Sequence, residues 1–216
     1  MSIKHHNTKK YKILEYIHSN IFVVENLIDN QTCKHLITDI EKYDCEKLVF
    51  TNGNNVECYK VNHAEKMNTY FVSKIKEILD ELKTLVNVPI HGMCNIEIRK
   101  VYGETRLHPD GTCPDNTSHP TRNHNVKLIR SLTVVGVLND DYEGGEYNFP
   151  SQNVKIKLKA GSFILFPPYW THPHSVSKII KIPNSNEYRY IVSTWAIDDS
   201  FIKYTDDENV NNIIVL

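Results

Sequence analysis

The sequence has no apolar run near the roughly 20 residues that a membrane-spanning helix needs. It has no Cys-x-x-Cys pair. Its five cysteines, Cys33, Cys45, Cys58, Cys94 and Cys113, are odd in number and scattered. That spacing argues against a disulfide framework or a zinc knuckle and fits reduced thiols. Net charge is nearly absent: 25 basic residues face 26 acidic ones. Bulk attraction to nucleic acid or anionic membrane is therefore missing, and such binding would need a local patch. The polar, basic opening from Met1 to Lys12 lacks the apolar stretch of a secretory signal. Together these absences predict an intracellular, soluble protein with no membrane partner and no strong nucleic-acid signal. No internal repeat is present, and 216 residues suit one domain better than two.

What is present divides into three parts. Residues 1–20 read as a flexible lead-in. Residues 21–197 read as a single domain, and 198–216 as an acidic, then apolar tail. Ile21-Phe22-Val23-Val24 has the apolar density of a strand. Asp29 or Asn30 can cap a helix running to about Tyr43. Asn62 can cap a longer helix over about 63–86, with Phe71, Ile75, Ile78, Leu79, Leu82 and Leu85 at helical spacing. From Met93 onward, short β-rich runs alternate with turns such as Asn139-Asp140-Asp141 and Gly144-Gly145. Helices first and many strands afterwards predict an α+β fold: a jelly-roll core with N-terminal helices packed outside.

The chemistry begins at Leu107-His108-Pro109-Asp110. His108 and Asp110 are two residues apart, so on extended chain both project to one face. An imidazole and a carboxylate from one side suit a divalent ion. A second histidine from a distant strand would complete a two-histidine, one-carboxylate face, which leaves open positions and favours non-haem iron(II). Alone, His-x-Asp is more often a surface turn. Downstream lie His172 and His174, which periodicity cannot separate.

Five segments occur in one order: His108-Pro109-Asp110; Glu143-Gly144-Gly145-Glu146-Tyr147-Asn148-Phe149-Pro150; Gly161-Ser162-Phe163-Ile164-Leu165-Phe166; His174-Ser175-Val176; and Arg189 to Trp195. In this order the chain resembles the prolyl 4-hydroxylase-type iron(II)/2-oxoglutarate-dependent dioxygenases, over about residues 20–197. The resemblance implies a double-stranded β-helix core. It implies a metal held by His108, Asp110 and a distal histidine, and register against the family form favours His174. His172 would then line the pocket or meet substrate, and Trp195, a core or pocket-wall residue, is the other substrate-binding candidate.

Arg189 follows His174 by fifteen residues, a longer gap than the family's, and the insert around Pro183-Asn184 reads as a longer hairpin turn. An arginine fork suits the distal carboxylate of 2-oxoglutarate, with Tyr102 or Thr133 as the hydroxyl partner. The implied activity is hydroxylation of a peptidyl side chain, proline above all, with release of succinate and CO2. Iron(II), 2-oxoglutarate and O2 are the implied cofactors, with ascorbate as a reductant and a peptide or protein as partner. The polar stretch 111–125, with His119 and His124, reads as a surface loop placed to serve as a lid. Rival readings are the same chemistry on a free amino acid, another residue or a nucleobase, and a non-catalytic metal- or carbohydrate-binding jelly roll. An oxygenase kept only as a scaffold is a third rival, opposed by the intact His108, Asp110, His174 and Arg189.

Overall fold

Ile21-Phe22-Val23-Val24 is apolar at every position because it is covered on both faces. Phe22 and Val24 pack on the helical side and Ile21 and Val23 on the opposite side. This two-sided burial organises the fold. The computed structural model describes residues 2–8, 10–49, 56–86, 88, 90–111, 129–198 and 213–215.

In chain order the elements are β1 (Ile3–Asn7), β2 (Lys12–Tyr16), β3 (Ile21–Glu25), α1 (Asn30–Ile40), β4 (Cys45–Leu48), β5 (Val56–Val61), α2 (Glu65–Lys83), β6 (Gly92–Cys94), β7 (Glu97–Gly103) and β8 (Thr105–His108). After them come β9 (Ile129–Val137), β10 (Tyr142–Glu143), β11 (Tyr147–Phe149), β12 (Val154–Ile156), β13 (Phe163–Phe166), β14 (His174–Val176), β15 (Ile180–Lys181), β16 (Arg189–Asp198) and β17 (Ile213–Val215).

The large sheet runs β1-β2-β3-β13-β9-β16-β7-β5-β4, with β6 and β17 attached beyond β16. A four-stranded sheet, β12-β11-β14-β8, faces it. One core lies between the sheets and joins Val101, Val135, Val137 and Ile191 to Tyr147, Phe149 and Val176. The other lies between the large sheet and the helices and includes Phe71, Ile75, Ile78, Ile98, Leu132, Val134 and Val192. The result is the expected α+β jelly roll, with both helices outside.

α1 starts where Asp29 accepts a hydrogen bond from the Thr32 amide. α2 starts later than Asn62 suggests. His63 holds φ of 55°, a left-handed conformation that a helix cannot include, so the cap position falls to Ala64. Central β9 needs a glycine at 136. A Cβ there would come within 2.3 Å of the Phe163 ring.

The N-terminal segment differs from the expected loose lead-in. β1 and β2 form a hairpin in register Ile3 with Tyr16, and β2 continues onto β3. Burial of Ile13 and Leu14 on opposite faces ties β2 to both cores. At the other end, β17 adds antiparallel to β6, so the apolar end of the tail docks on the body.

Candidate active site

Strand pairing brings the two site histidines together. β8 ends at His108, β14 begins at His174, and the two residues stand directly opposite each other. Opposed residues of an antiparallel pair project to the same face, and the two rings lie 4.6 Å apart. Pro109 follows β8, and Asp110 lies in the turn beyond it rather than on extended chain. That turn swings the carboxylate back: Oδ1 is 3.3 Å from His108 Nε2 and 3.9 Å from His174 Nε2. One ligand atom from each of the three residues falls within 4.8 Å of the others.

The remaining polar atoms of the trio are engaged. His108 Nδ1 lies 2.8 Å from the Arg106 carbonyl, and His174 Nδ1 lies 3.3 Å from the His172 carbonyl. With each Nδ1–H donating to a carbonyl, both Nε2 lone pairs face Asp110. Thr133 Oγ1 donates to Asp110 Oδ2 at 2.6 Å, and Arg130 Nη1 donates to the Asp110 backbone carbonyl at 2.8 Å. Phe166 and Phe149 wall the His174 ring at 4.6 and 5.5 Å.

Electrostatics follow from this placement. Burial pulls the His108 imidazole down, but hydrogen bonding and the charge of Asp110 outweigh it, so the net shift is upward. Burial pushes Asp110 up. Hydrogen bonds from His108 and Thr133 and the charge of His174 overcome that and hold it well below the usual carboxylate range. Burial dominates at His174 and keeps it below the ordinary histidine value.

The donor set can be tested against a metal. Two ligand atoms about 2.1 Å from one ion and at right angles sit about 3 Å apart. The observed 3.3 and 3.9 Å separations need only a small closure. Two imidazole nitrogens and one carboxylate oxygen on one side fit an octahedral ferrous ion with open positions opposite.

Arg189 opens β16 opposite Val101 and points into the core between the sheets. It is 3% exposed. Among the described residues its Nη1 makes one 3.4 Å contact, to the Gly145 carbonyl, and its Nε is buried without a partner. No carboxylate among the described residues pairs with it. The guanidinium lies 5.6 Å from the centroid of the Tyr147 ring. Tyr147 opposes Val176, two residues along β14 from His174. The inner face therefore leads from the histidines, past Tyr147, to a buried cation.

Several expected residues sit elsewhere. Tyr102 alternates away from Val101 and pairs with Glu57 on the outer face, so it does not share a wall with Arg189. The Thr133 hydroxyl is taken by Asp110 rather than held for a cosubstrate. His172 lies in the bend before β14, not on its face. Its Nε2 is 2.6 Å from the Ser19 carbonyl and its Nδ1 is 2.9 Å from Thr171 Oγ1, so both nitrogens serve the fold. Trp195 does face inward, opposite Thr133, with the Arg130 guanidinium 3.8 Å above its ring. The expected lid lies outside the described residues after Gly111, whose amide donates to the Pro168 carbonyl.

Tyr147 is the residue that sequence reasoning passed over as a site. Its signal was available, because it alternates with Phe149 after the Gly144-Gly145 turn and so shares the inward face.

Comparison with known proteins agrees with this geometry. Residues 99–197 match the 2OG-Fe(II) oxygenase superfamily. A protein of Acanthamoeba polyphaga mimivirus named "Putative prolyl 4-hydroxylase" is 24% identical over 196 residues, covering 83% of this chain and 75% of its own. The viral collagen prolyl hydroxylase of Paramecium Bursaria Chlorella virus-1, solved as its 2OG complex, superposes with a TM-score of 0.59 at 20% identity, over 84% of this chain and 97% of its own. The Trichoplax adhaerens prolyl hydroxylase, solved with a hypoxia inducible factor peptide fragment, gives 0.61 at 16% identity, over 87% and 89%. The matched segment runs from β7 to β16 and the fold is shared over most of the chain, so this chain is similar to the 2OG-Fe(II) oxygenases and, among them, to prolyl 4-hydroxylases.

Proposed function

We propose that this protein hydroxylates a peptidyl side chain, proline above all, using iron(II), 2-oxoglutarate and O2 and releasing succinate and CO2. The observation that carries the reading is the pairing of two features on one inner face. A His108-Asp110-His174 donor set stands at one end, and an arginine without a counter-ion among the described residues lies deeper in.

In this reading His108 Nε2, His174 Nε2 and one oxygen of Asp110 hold the metal. When bound, iron supplies the oxygen chemistry that couples oxidative decarboxylation of the keto acid to hydroxylation. Everything else is positioning. Arg189 takes the distal carboxylate of 2-oxoglutarate through its fork. Tyr147 replaces Tyr102 and Thr133 as the hydroxyl beside it: it is buried, lies next to the guanidinium and has no other hydrogen-bond partner among the described residues. Burial raises its pKa, so it stays a donor at neutral pH. Thr133 and Arg130 fix Asp110, and Phe149 and Phe166 exclude water from the His174 ring. Ascorbate would serve as the reductant that keeps iron ferrous between turnovers.

A peptide substrate suits the surface near this site. Trp170 is 79% exposed, and Leu107 and Tyr169 are exposed as well. Leu107 adjoins His108, and Tyr169 lies against Gly111, the residue after Asp110. Large aromatic side chains left in water beside a site are common anchors for peptides. The prolyl hydroxylase neighbour solved with a peptide fragment supports the same substrate class.

The test is succinate release after anaerobic loading with iron(II) and 2-oxoglutarate, then oxygen, across proline-containing peptides. Peptide-dependent succinate together with a 16-dalton gain on proline is expected. Equal succinate from Asp110→Ala and His174→Ala proteins would overturn the site.

A further inference from the structure

The inner wall of the barrel carries a second cation, the partly buried Arg99, that the proposed cosubstrate site does not use. β7 and β16 pair so that Ser193 opposes Glu97 and Ile191 opposes Arg99. Ile191 and Val101 belong to the core between the sheets, so alternation turns Glu97, Arg99, Ser193 and Trp195 inward as well. Three polar atoms on this wall are buried without a partner among the described residues: Arg99 Nε, Ser193 Oγ and Trp195 Nε1. Ser193 is 4% exposed. A native fold rarely strands one such group, and neighbouring strays on a single inward wall mark a place where a ligand completes the bonding.

The chemistry of these atoms names the ligand. The arginine and indole N–H groups can only donate, and the serine hydroxyl can also donate. A ligand that satisfies all three must accept. Glu97 already binds one terminal nitrogen of Arg99, which leaves the Nε–H edge of the guanidinium free. Arg130 adds a second positive charge, stacked on the Trp195 ring. Arg99 also lies within electrostatic reach of Asp110 and Arg130, which places it toward the metal end of the barrel. Trp195 opposes Thr133, which holds Asp110.

We propose that Arg99, Ser193 and Trp195 form a subsite for a carboxylate carried by the primary substrate, close to the carbon that is hydroxylated. Glu97 holds the guanidinium in place and competes with that carboxylate when the subsite is empty. The inference rests on the hydroxylase reading and narrows its substrate to an anionic one. The carboxylate can come from an acidic residue beside the target proline or from the α-carboxylate of a free amino acid. Both present the same two acceptor oxygens.

The test uses the full chain loaded with manganese(II) and 2-oxoglutarate without oxygen, so that nothing turns over. Calorimetric dissociation constants are measured for acetyl-Ala-Pro-Glu-amide, acetyl-Ala-Pro-Gln-amide and free proline. Tighter binding of the glutamate peptide than the glutamine peptide, by about tenfold or more, is expected for an acidic neighbour. Tight binding of free proline alone would assign the α-carboxylate. In either case Arg99→Gln should erase the preference and leave 2-oxoglutarate affinity unchanged. Glu97→Gln should strengthen binding of the preferred ligand, a gain that a damaged fold cannot imitate. Equal or absent binding of all three ligands overturns the subsite, as does a preference that survives Arg99→Gln. Weakened 2-oxoglutarate binding in Arg99→Gln also overturns it, because Arg99 would then serve the cosubstrate. If the parent protein takes up neither manganese nor 2-oxoglutarate, the hydroxylase reading itself fails.

Discussion

The Thr133 hydroxyl donates to Asp110 Oδ2 at 2.6 Å and leaves Oδ1 as the oxygen that faces both histidines. A carboxylate with one oxygen tied back presents a single, oriented ligand atom. Removing such a support usually costs about 10- to 100-fold in metal affinity. Thr133→Val should weaken iron(II) binding by that order, and Thr133→Ser should retain it. At saturating iron the KM for 2-oxoglutarate should stay near that of the parent. A threonine that served the cosubstrate would give the opposite pattern, so iron titration with steady-state kinetics separates the two roles.

Arg189 carries a different prediction. It is a buried cation whose charge is unpaired among the described residues, so a bound carboxylate gains fully desolvated, charge-assisted hydrogen bonds. Hydrogen bonds of that kind contribute about 1.5–3 kcal/mol, or roughly 10- to 100-fold in affinity. Arg189→Gln should raise the 2-oxoglutarate requirement by that order while metal uptake persists. Tyr147→Phe removes one neutral donor and should cause a smaller rise. In both variants discrimination between 2-oxoglutarate and 2-oxobutyrate, which lacks the distal carboxylate, should narrow.

Which parts of this site could be read from sequence depends on the range of the interaction. His108 and Asp110 declare themselves because they are two residues apart, and Arg189 because the strand to Trp195 follows it. The long helix was legible because Phe71, Ile75, Ile78, Leu79 and Leu82 keep a 3.6-residue period over several turns. The face of Tyr102 was not legible. It depends on strand register, which shifts every side chain when it slips by one residue. The partner of Thr133 was hidden for a related reason, because the turn after β8 that swings Asp110 toward β9 leaves no mark in a periodic pattern. The N-terminal hairpin was missed because β1 is mostly exposed and polar, and its pairing with β2 is a matter of backbone.

His172 and His174 should part company under mutation. His174 faces Asp110, whereas His172 bridges the segment before β14 to the Ser19 carbonyl in the turn between β2 and β3. His174→Ala should abolish iron uptake with little change in the melting temperature of the metal-free protein. His172→Ala leaves the Ser19 carbonyl without its partner and should destabilise by about 1–3 kcal/mol, while iron still binds at one equivalent. Denaturant unfolding and iron stoichiometry on the same preparations check both outcomes.

Trp170 tests the peptide surface. It is almost fully solvated and supports no core, so its loss should leave stability within about 0.5 kcal/mol of the parent. Trp170→Ser should raise the KM for a peptide substrate several-fold, since aromatic anchors dominate such interfaces. Any succinate formed without peptide should not change. An unchanged peptide KM would move the docking surface away from this side of the barrel.

Proton competition gives the last test. Metal binding requires both Nε2 atoms to be free of protons. The net upward shift at His108 means that its proton begins to compete at a higher pH than for an ordinary histidine near 6.5. Burial lowers His174, so its proton competes only further into acid. Without metal, the raised His108 contributes stability below its unfolded value and loses it as pH rises through the folded one. The depressed Asp110 contributes above its unfolded value near 3.9 and loses it as pH falls through the folded one. The metal-free protein thus gains most from this pair between about pH 4 and 6.5, where a bound metal has to displace the His108 proton. The logarithm of manganese affinity should fall by about one unit per pH unit once His108 titrates, and by about two when His174 joins it. A binding curve flat from about pH 8 to 5.5 would remove His108 from the ligand set, because an imidazole with a raised pKa cannot bind a metal across that range without releasing a proton.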